Sequence, residues 1–327
     1  MLLSLCACSF NANIKYTPGK GADVNGPQSG GETTGIEEMI EKNNEADGQE
    51  GTFASDDIKS YLLLGIDRSG LASGVDANVG GGQCDGVYVI AVNSKTGTTN
   101  ILQLNRDTYV DIVVPDAFGN EMSTYKERLA IAYSHGSGME DSCINAEKTV
   151  SKFLHGLKFD GYVAVYYDAI EPVVDSVGGV DVTLEKELTA LDPGYVQGAR
   201  VHMSGHDAYL FCRSRSSLGE ETNTERLGRQ RVFLNAFVGS CRTQIKTKSS
   251  IINDIYKAAS PYIVSNLSQG ELCNIGAKAL SYKDGGIVSP AGSLEWVTGN
   301  DGQKYSQFVV DENSLSGILK DLFALEK

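Results

Sequence analysis

The sequence predicts an α/β layered domain whose sheet holds at least one antiparallel pair. Three observations carry this. S-Y-L-L-L-G-I-D, ending at Asp67, is a continuous apolar run closed by an acid, as in a strand buried on both faces. V-Y-V-I-A-V and N-I-L-Q-L flank N-S-K-T-G-T, which reads as a hairpin turn between two strands. Strand-like and helix-like segments then alternate, with no long-period repeat.

Residues 1–8, M-L-L-S-L-C-A-C, are apolar and end like a bacterial lipobox, with Cys8 in the place of a lipidated residue. They have no charged n-region and the run is short, so they read as a truncated export signal or anchor. Residues 9–57 are rich in Gly, Asn, Thr, Glu and Asp and read as a disordered acidic linker. From Cys8 to Asp57 there are ten acids against three lysines, half of the formal charge of −14. Residues 58–327 read as one domain, C-terminal helices included. No other segment is long and apolar enough to cross a bilayer.

Within that domain a strand starts at Ile58, and a Gly-rich loop runs from Gly70 to Gly82. The two hairpin strands follow, with Arg106 and Asp107 directly after the second. A helix is expected over Asp141–Leu154, on the stripe Cys143, Ala146, Val150, Phe153 and Leu154. Tyr162–Tyr166 reads as a strand, Ala169–Val177 as a short helix, and Gly178-Gly179 as a turn into V-D-V-T-L. Ser204 with Asp207 forms a capping box for a short helix through Phe211. Asn223 and Thr224 are N-cap residues for a helix from Glu225 to Cys241 that docks through Val232, Phe233, Ala236 and Phe237. Further helices are expected over Ile251–Ala259, Gln269–Leu280 and Glu312–Leu325, the last after a strand at F-V-V.

The chemistry concentrates in three places. Phe211–Leu234 carries Arg213, Arg215, Arg226, Arg229 and Arg231 in an acidic protein. That balance excludes a nucleic-acid surface. It suits a compact anion such as a pyrophosphate, because guanidinium forks donate in parallel pairs to its oxygens. Arg226, Arg229 and Gln230 share one face of the first helical turns, where backbone N–H groups also favour an anion. A solvated basic face paired with Glu220, Glu221 and Glu225 would give the same pattern. Asp85 opens one hairpin strand and Asp107 follows the other, so both lie at one end of the sheet. Two close carboxylates repel unless a cation lies between them, and Mg²⁺ or Mn²⁺ is the natural partner. Each Asp alone would also fit a turn or strand-end cap.

Seven cysteines with no C-x-x-C pair make a zinc site unlikely to form. Cys84, Cys143, Cys212, Cys241 and Cys273 leave room for one or two disulfides, although Cys84 and Cys212 read as packing residues. His135, His155, His202 and His206 have no ligand spacing, and there is no G-x-S-x-G elbow or P-loop.

Taken in order, several segments resemble the LytR–CpsA–Psr family of bacterial cell-envelope proteins. They are Y-L-L-L-G-I-D, Q-C-D-G-V-Y-V-I-A-V, L-N-R-D-T-Y-V, R-L-A-I-A-Y-S-H-G, V-D-S-V-G-G-V-D-V, M-S-G-H-D-A-Y-L-F-C-R-S-R and R-L-G-R-Q, then V-D-E-N-S-L and D-L-F. The resemblance spans Ile58 to Phe323. It implies an α-β-α sandwich with a mixed central sheet, an apolar groove for a lipid and a charged rim for its head group. It implies a Mg²⁺-assisted phosphotransferase that moves a glycopolymer from a polyprenyl-pyrophosphate carrier to a peptidoglycan hydroxyl. Such a protein works on the extracytoplasmic face of the cell membrane, held there by an N-terminal lipid or anchor. Carried over, Asp85 and Asp107 match the metal-linked aspartates. Arg106, Arg213, Arg215 and Arg226 match the pyrophosphate-contacting arginines, and Gln230 a motif glutamine. Arg128 and Tyr133 fall near the carrier. Asp107, Arg106 and Arg215 take the catalytic roles. Three positions depart: Gln83 stands where an arginine is expected, Asn223 for an aspartate and Asn105 for a proline. A phosphatase using water, and a non-catalytic envelope binder or attenuator, are the alternative readings.

Overall fold

The computed structural model describes residues 52–72, 82–115, 121–214, 223–298 and 304–326. Its first half runs β1 (Thr52–Phe53), β2 (Ile58–Ile66), β3 (Cys84–Asn93), β4 (Thr98–Leu104), β5 (Tyr109–Pro115), β6 (Glu121–Arg128), a 3-10 segment (Leu129–His135), α1 (Met139–Phe153), β7 (Gly161–Tyr166), α2 (Ile170–Ser176), β8 (Val180–Thr183) and β9 (Arg200–Met203). The second half runs α3 (Gly205–Arg213), α4 (Asn223–Gln244), α5 (Ile251–Ala259), β10 (Ile263–Ser265), α6 (Gln269–Ser281), β11 (Lys283–Val288), β12 (Gly292–Thr298), β13 (Lys304–Val310), α7 (Glu312–Phe323) and β14 (Leu325–Glu326).

A six-stranded sheet, in the order β10-β7-β2-β3-β4-β11, forms the middle layer. It is mixed. β2–β3, β3–β4 and β7–β10 are antiparallel, while β2–β7 and β4–β11 are parallel. Because side chains alternate across a strand, each central strand feeds two cores. Leu63, Tyr88, Ile90, Ile101 and Val163 face one side, under α2 to α6. Leu62, Leu64, Val87, Val89, Leu102 and Ala164 face the other, under α1 and α7. This is the expected α-β-α sandwich, and burial on both faces is why these strands read as unbroken apolar runs.

Several elements lie where their sequence signals place them. Ser204 caps α3 through a complete capping box, and Ser268 caps α6 in the same way with Glu271. Gly178 and Gly179 turn at φ of 77° and 84°, and a Cβ on Gly179 would meet the His202 ring. The helix expected from Glu225 already includes Asn223 and Thr224 and runs on to Gln244, and both ends of the domain differ. The linker expected to reach residue 57 ends earlier, because Thr52–Phe53 pairs with Leu325–Glu326. The last helix stops at Phe323, where Ala324 adopts a left-handed conformation (φ 56°) and turns the chain into β14. All five cysteines from Cys84 onward are thiols, so no disulfide forms among them. Among the described residues no helix is long and apolar enough to cross a membrane. Cys8 and the rest of the N-terminal segment lie outside them.

Candidate active site

The site is built at one end of the β3–β4 hairpin. Val87 pairs with Leu104, which brings Asp85, near the start of β3, level with the residues just beyond β4. Asn105 shapes the exit: its Oδ1 accepts from Asp107 N at 3.0 Å and its carbonyl from Thr108 N at 3.0 Å. An Asx-type turn of this kind replaces the rigidity of a proline with a side-chain hydrogen bond. The Arg106 carbonyl accepts from Ala130 N at 2.9 Å, fastening the turn to the 3-10 segment.

Asp85 is fully buried, and Arg106 and Asp107 are nearly so. The Arg106 guanidinium stands between the two acids. Nη1 ion-pairs with Asp85, Nε lies 3.4 Å from Asp107 Oδ1, and Nη2 donates to Gln83 Oε1 at 2.7 Å. On the far side of Asp85 lies Arg226, fully buried in the first turns of α4, with Nη1 3.7 Å from Oδ2. Asp85, Asp107, Arg106 and Arg226 are therefore a charge-balanced buried quartet. Ionic groups survive such burial only when paired.

Next to the quartet α4 presents Arg229 and Gln230, both buried. Arg229 Nη2 donates to Ser214 O at 2.6 Å and Gln230 Nε2 to Cys212 O at 3.3 Å, so both hold the chain end of α3. Arg213 closes that end. Its guanidinium stacks 3.8 Å from the Tyr167 ring centroid, lies against Tyr209, and reaches Asp67 at 3.8 Å. Asp67 is in turn tied to Gln83, whose carbonyl accepts from Asp67 N at 2.9 Å.

Of the expected site residues, the fold brings Gln83, Asp85, Arg106, Asp107 and Arg226 together, with Arg229, Gln230 and Arg213 alongside. Arg215 lies outside the described residues, as does the Asn223 side chain. Arg128 is bound to its neighbour Glu127 (Nε to Oε1, 3.4 Å) at the end of β6. Tyr133 is buried in the α1-side core, where burial pushes its phenol up. Arg231 points elsewhere. It donates to Gln103 Oε1 at 3.0 Å and to Ser289 Oγ at 2.6 Å, tying α4 to the sheet. Cys84 is a packing residue: its thiol faces the Leu129 and Ala130 carbonyls, and burial raises it to about 11. Asp67, Tyr167 and Tyr209 were not singled out by sequence. The acid closing the first apolar run was the available signal for Asp67.

The divalent ion expected between the acids has a rival occupant in Arg106. Among the described residues no group of three or more His, Cys, Asp or Glu side chains could hold a metal. Two carboxylates nonetheless suffice for Mg²⁺ when phosphate oxygens complete its shell. Both Asp85 oxygens face guanidinium groups, so a cation between the acids would take the place that Arg106 holds here. Two carboxylates are the right donor chemistry for it. Between the sheet and helices α4 and α6 lies a narrow, mainly apolar cleft of about 30 Å³. Ile90, Ile101, Val238, Ile275 and Leu280 line it.

Residues 24–323 match the LytR_cpsA_psr family. A relative from Bacillus mycoides (strain KBAB4), a polyisoprenyl-teichoic acid–peptidoglycan teichoic acid transferase TagU, is 28% identical over 215 residues, covering 65% of this chain and 62% of its own. The TagV transferase of Bacillus subtilis (strain 168) is 28% identical over 192 residues, covering 57% and 45%. The matched region is thus less than two-thirds of these relatives' length. Among solved structures, protein gbs0355 from Streptococcus agalactiae superposes with a TM-score of 0.63 at 22% identity, covering 83% of this chain and 89% of that one. TagV from B. subtilis gives 0.59 at 22%, covering 84% and 100%, and TagT bound to LIIa-WTA gives 0.58 at 21%, covering 82% and 90%. These likenesses agree with the sandwich and its mixed sheet, and together with the family match they place the protein: the chain belongs to the LytR_cpsA_psr family.

Proposed function

We propose that this protein transfers a glycopolymer from a polyprenyl-pyrophosphate carrier to a sugar hydroxyl of peptidoglycan, at the outer face of the cell membrane. The observation that carries the reading is the buried quartet of Asp85, Arg106, Asp107 and Arg226 at one sheet end. A structural ion pair alone does not require four buried charges with two more arginines beside them, and that arrangement suits a pyrophosphate.

In this reading Arg106, Arg226 and Arg213 bind and orient the pyrophosphate. Asp85 lies between two arginines and keeps their heads in place. Asp107, the less deeply buried of the two acids, is the one able to take the acceptor's proton. The sugar oxygen attacks the phosphorus on the glycan side, the bond to the bridging oxygen breaks, and polyprenyl phosphate leaves. The polymer remains joined through a phosphodiester. Most of the rate comes from electrostatic stabilisation of the transferring group. With Arg106 turned onto the pyrophosphate, Asp85 and Asp107 would hold Mg²⁺, whose charge would offset part of the pyrophosphate's.

Product analysis tests the reading. A synthetic polyprenyl-pyrophosphate saccharide is incubated with the protein, with and without purified peptidoglycan. Saccharide bound to the sacculus by a phosphodiester, with polyprenyl monophosphate released, is the expected result. Release at the same rate without peptidoglycan would make the protein a hydrolase.

A further inference from the structure

Beside Asp107 lies a surface that the chemistry above does not use. β12 and β13 form a two-stranded ribbon outside the central sheet. Its inner strand is fastened to the acid's own segment: Phe308 N donates to Asp107 O at 2.8 Å, and Phe308 bridges to Thr108. The register sets Leu294 opposite Phe308 and Trp296 opposite Ser306, so Leu294, Trp296 and Phe308 share one face. Trp296 is 70% exposed and Leu294 43%. Ser306 is two residues from Phe308, which puts the indole about 7 Å along the strand from the Asp107 contact. That is within the span of a disaccharide.

An indole left so open, on a ribbon whose other strand is half-buried against the Asp107 segment, marks a binding surface rather than a packing residue. Charge decides what it binds. Glu295 and Lys304 are the ribbon's described charges and cancel, and Asp311 and Glu312 follow directly. A surface with no net positive charge offers anionic lipid headgroups and polyanions no attraction, since Asp311 caps α7 and Glu312 pairs with His155. It suits a neutral sugar chain whose C–H faces stack on an aromatic ring. The ribbon joins the acid that takes the acceptor's proton, whereas Arg213, Arg226 and Arg229 come from α3 and α4.

We propose that the β12–β13 ribbon, through Trp296, is the subsite for the acceptor glycan, a neutral chain of N-acetylated hexosamines. This rests on the transfer reading, with Asp107 as the base.

Trp296 is the chain's sole tryptophan, so its emission reports on this surface alone. The full chain is titrated with a tetramer of N-acetylglucosamine. A saturable blue shift is expected, and it needs no donor and no turnover. Emission that ignores the tetramer, or answers only to anionic phospholipid vesicles or only to the carrier-linked donor, overturns the assignment. In transfer assays Trp296→Ala raises KM for an oligosaccharide acceptor roughly tenfold, the equivalent of one stacked ring, while kcat at saturating acceptor is held and Trp296→Tyr recovers most of the loss. An unchanged acceptor KM in Trp296→Ala also overturns it. If the wild type transfers nothing yet its emission still answers to the tetramer, the transfer reading fails and the glycan subsite stands.

Discussion

Asp85 is held between Arg106 and Arg226 with no exposed surface, so its removal takes an anionic partner from two buried cations. Asp85→Ala is expected to destabilise the fold by about 3–5 kcal/mol, read as a lower midpoint in urea denaturation. A change under 1 kcal/mol would mean that the arginines are not held by this acid. Much of this cluster was legible. A hairpin fixes which residues lie at a common sheet end, so Asp85 and Asp107 could be paired from spacing alone. That Arg106 occupies the gap between them was not legible, because strand alternation stops at Leu104 and the direction of Arg106 is set by the Asn105 turn. Arg231 shows the limit of counting arginines. It follows Gln230 directly and so turns about 100° away from it, toward Gln103 and Ser289.

At the scale of elements, caps and turns decide where the chain stops and starts. The left-handed Ala324 ends α7 in a conformation that costs a residue with a Cβ about 1 kcal/mol or more. Ala324→Gly is expected to raise stability by about that amount, checked by thermal melting. A loss instead would show that the alanine methyl packs usefully there. The α6 capping box gives a pH signature. Hydrogen bonds from Ser268 hold the Glu271 carboxyl below its ordinary range. Its contribution is therefore present above the ordinary glutamate range and is lost as pH falls through the depressed folded value. Amide protection at the start of α6 should drop on acidification, and Glu271→Gln should remove that dependence. The Ser204–Asp207 box was readable because its residues lie three apart, while the Ser268–Glu271 box has the same spacing and was not singled out. The β1–β14 pair was not readable, since two-residue strands carry no period and their partners are at opposite ends of the fold. The edge strand β11 was hidden for a related reason: Asp284-Gly-Gly reads as a turn, yet it forms an irregularity within a parallel strand.

For the whole molecule, the two cores explain why the sandwich was predictable. Four adjacent strands buried on both faces leave an apolar signal too long for loops, and the intervening helices have room on either side. The acidic charge says little about this domain, since half of it lies before Ile58. What the architecture supplies is one sheet end where β2, β3, β4, α3 and α4 deliver charged side chains from distant parts of the chain to a single point. The claim that this point is where phosphoryl transfer occurs is tested most directly with Asp107→Asn, which keeps the shape and one acceptor oxygen but cannot take a proton. Transfer of labelled saccharide from a polyprenyl-pyrophosphate carrier to peptidoglycan should fall by about 10²–10⁴-fold, in a protein that still unfolds in one cooperative transition. Transfer at the wild-type rate by a folded Asp107→Asn protein would contradict the account.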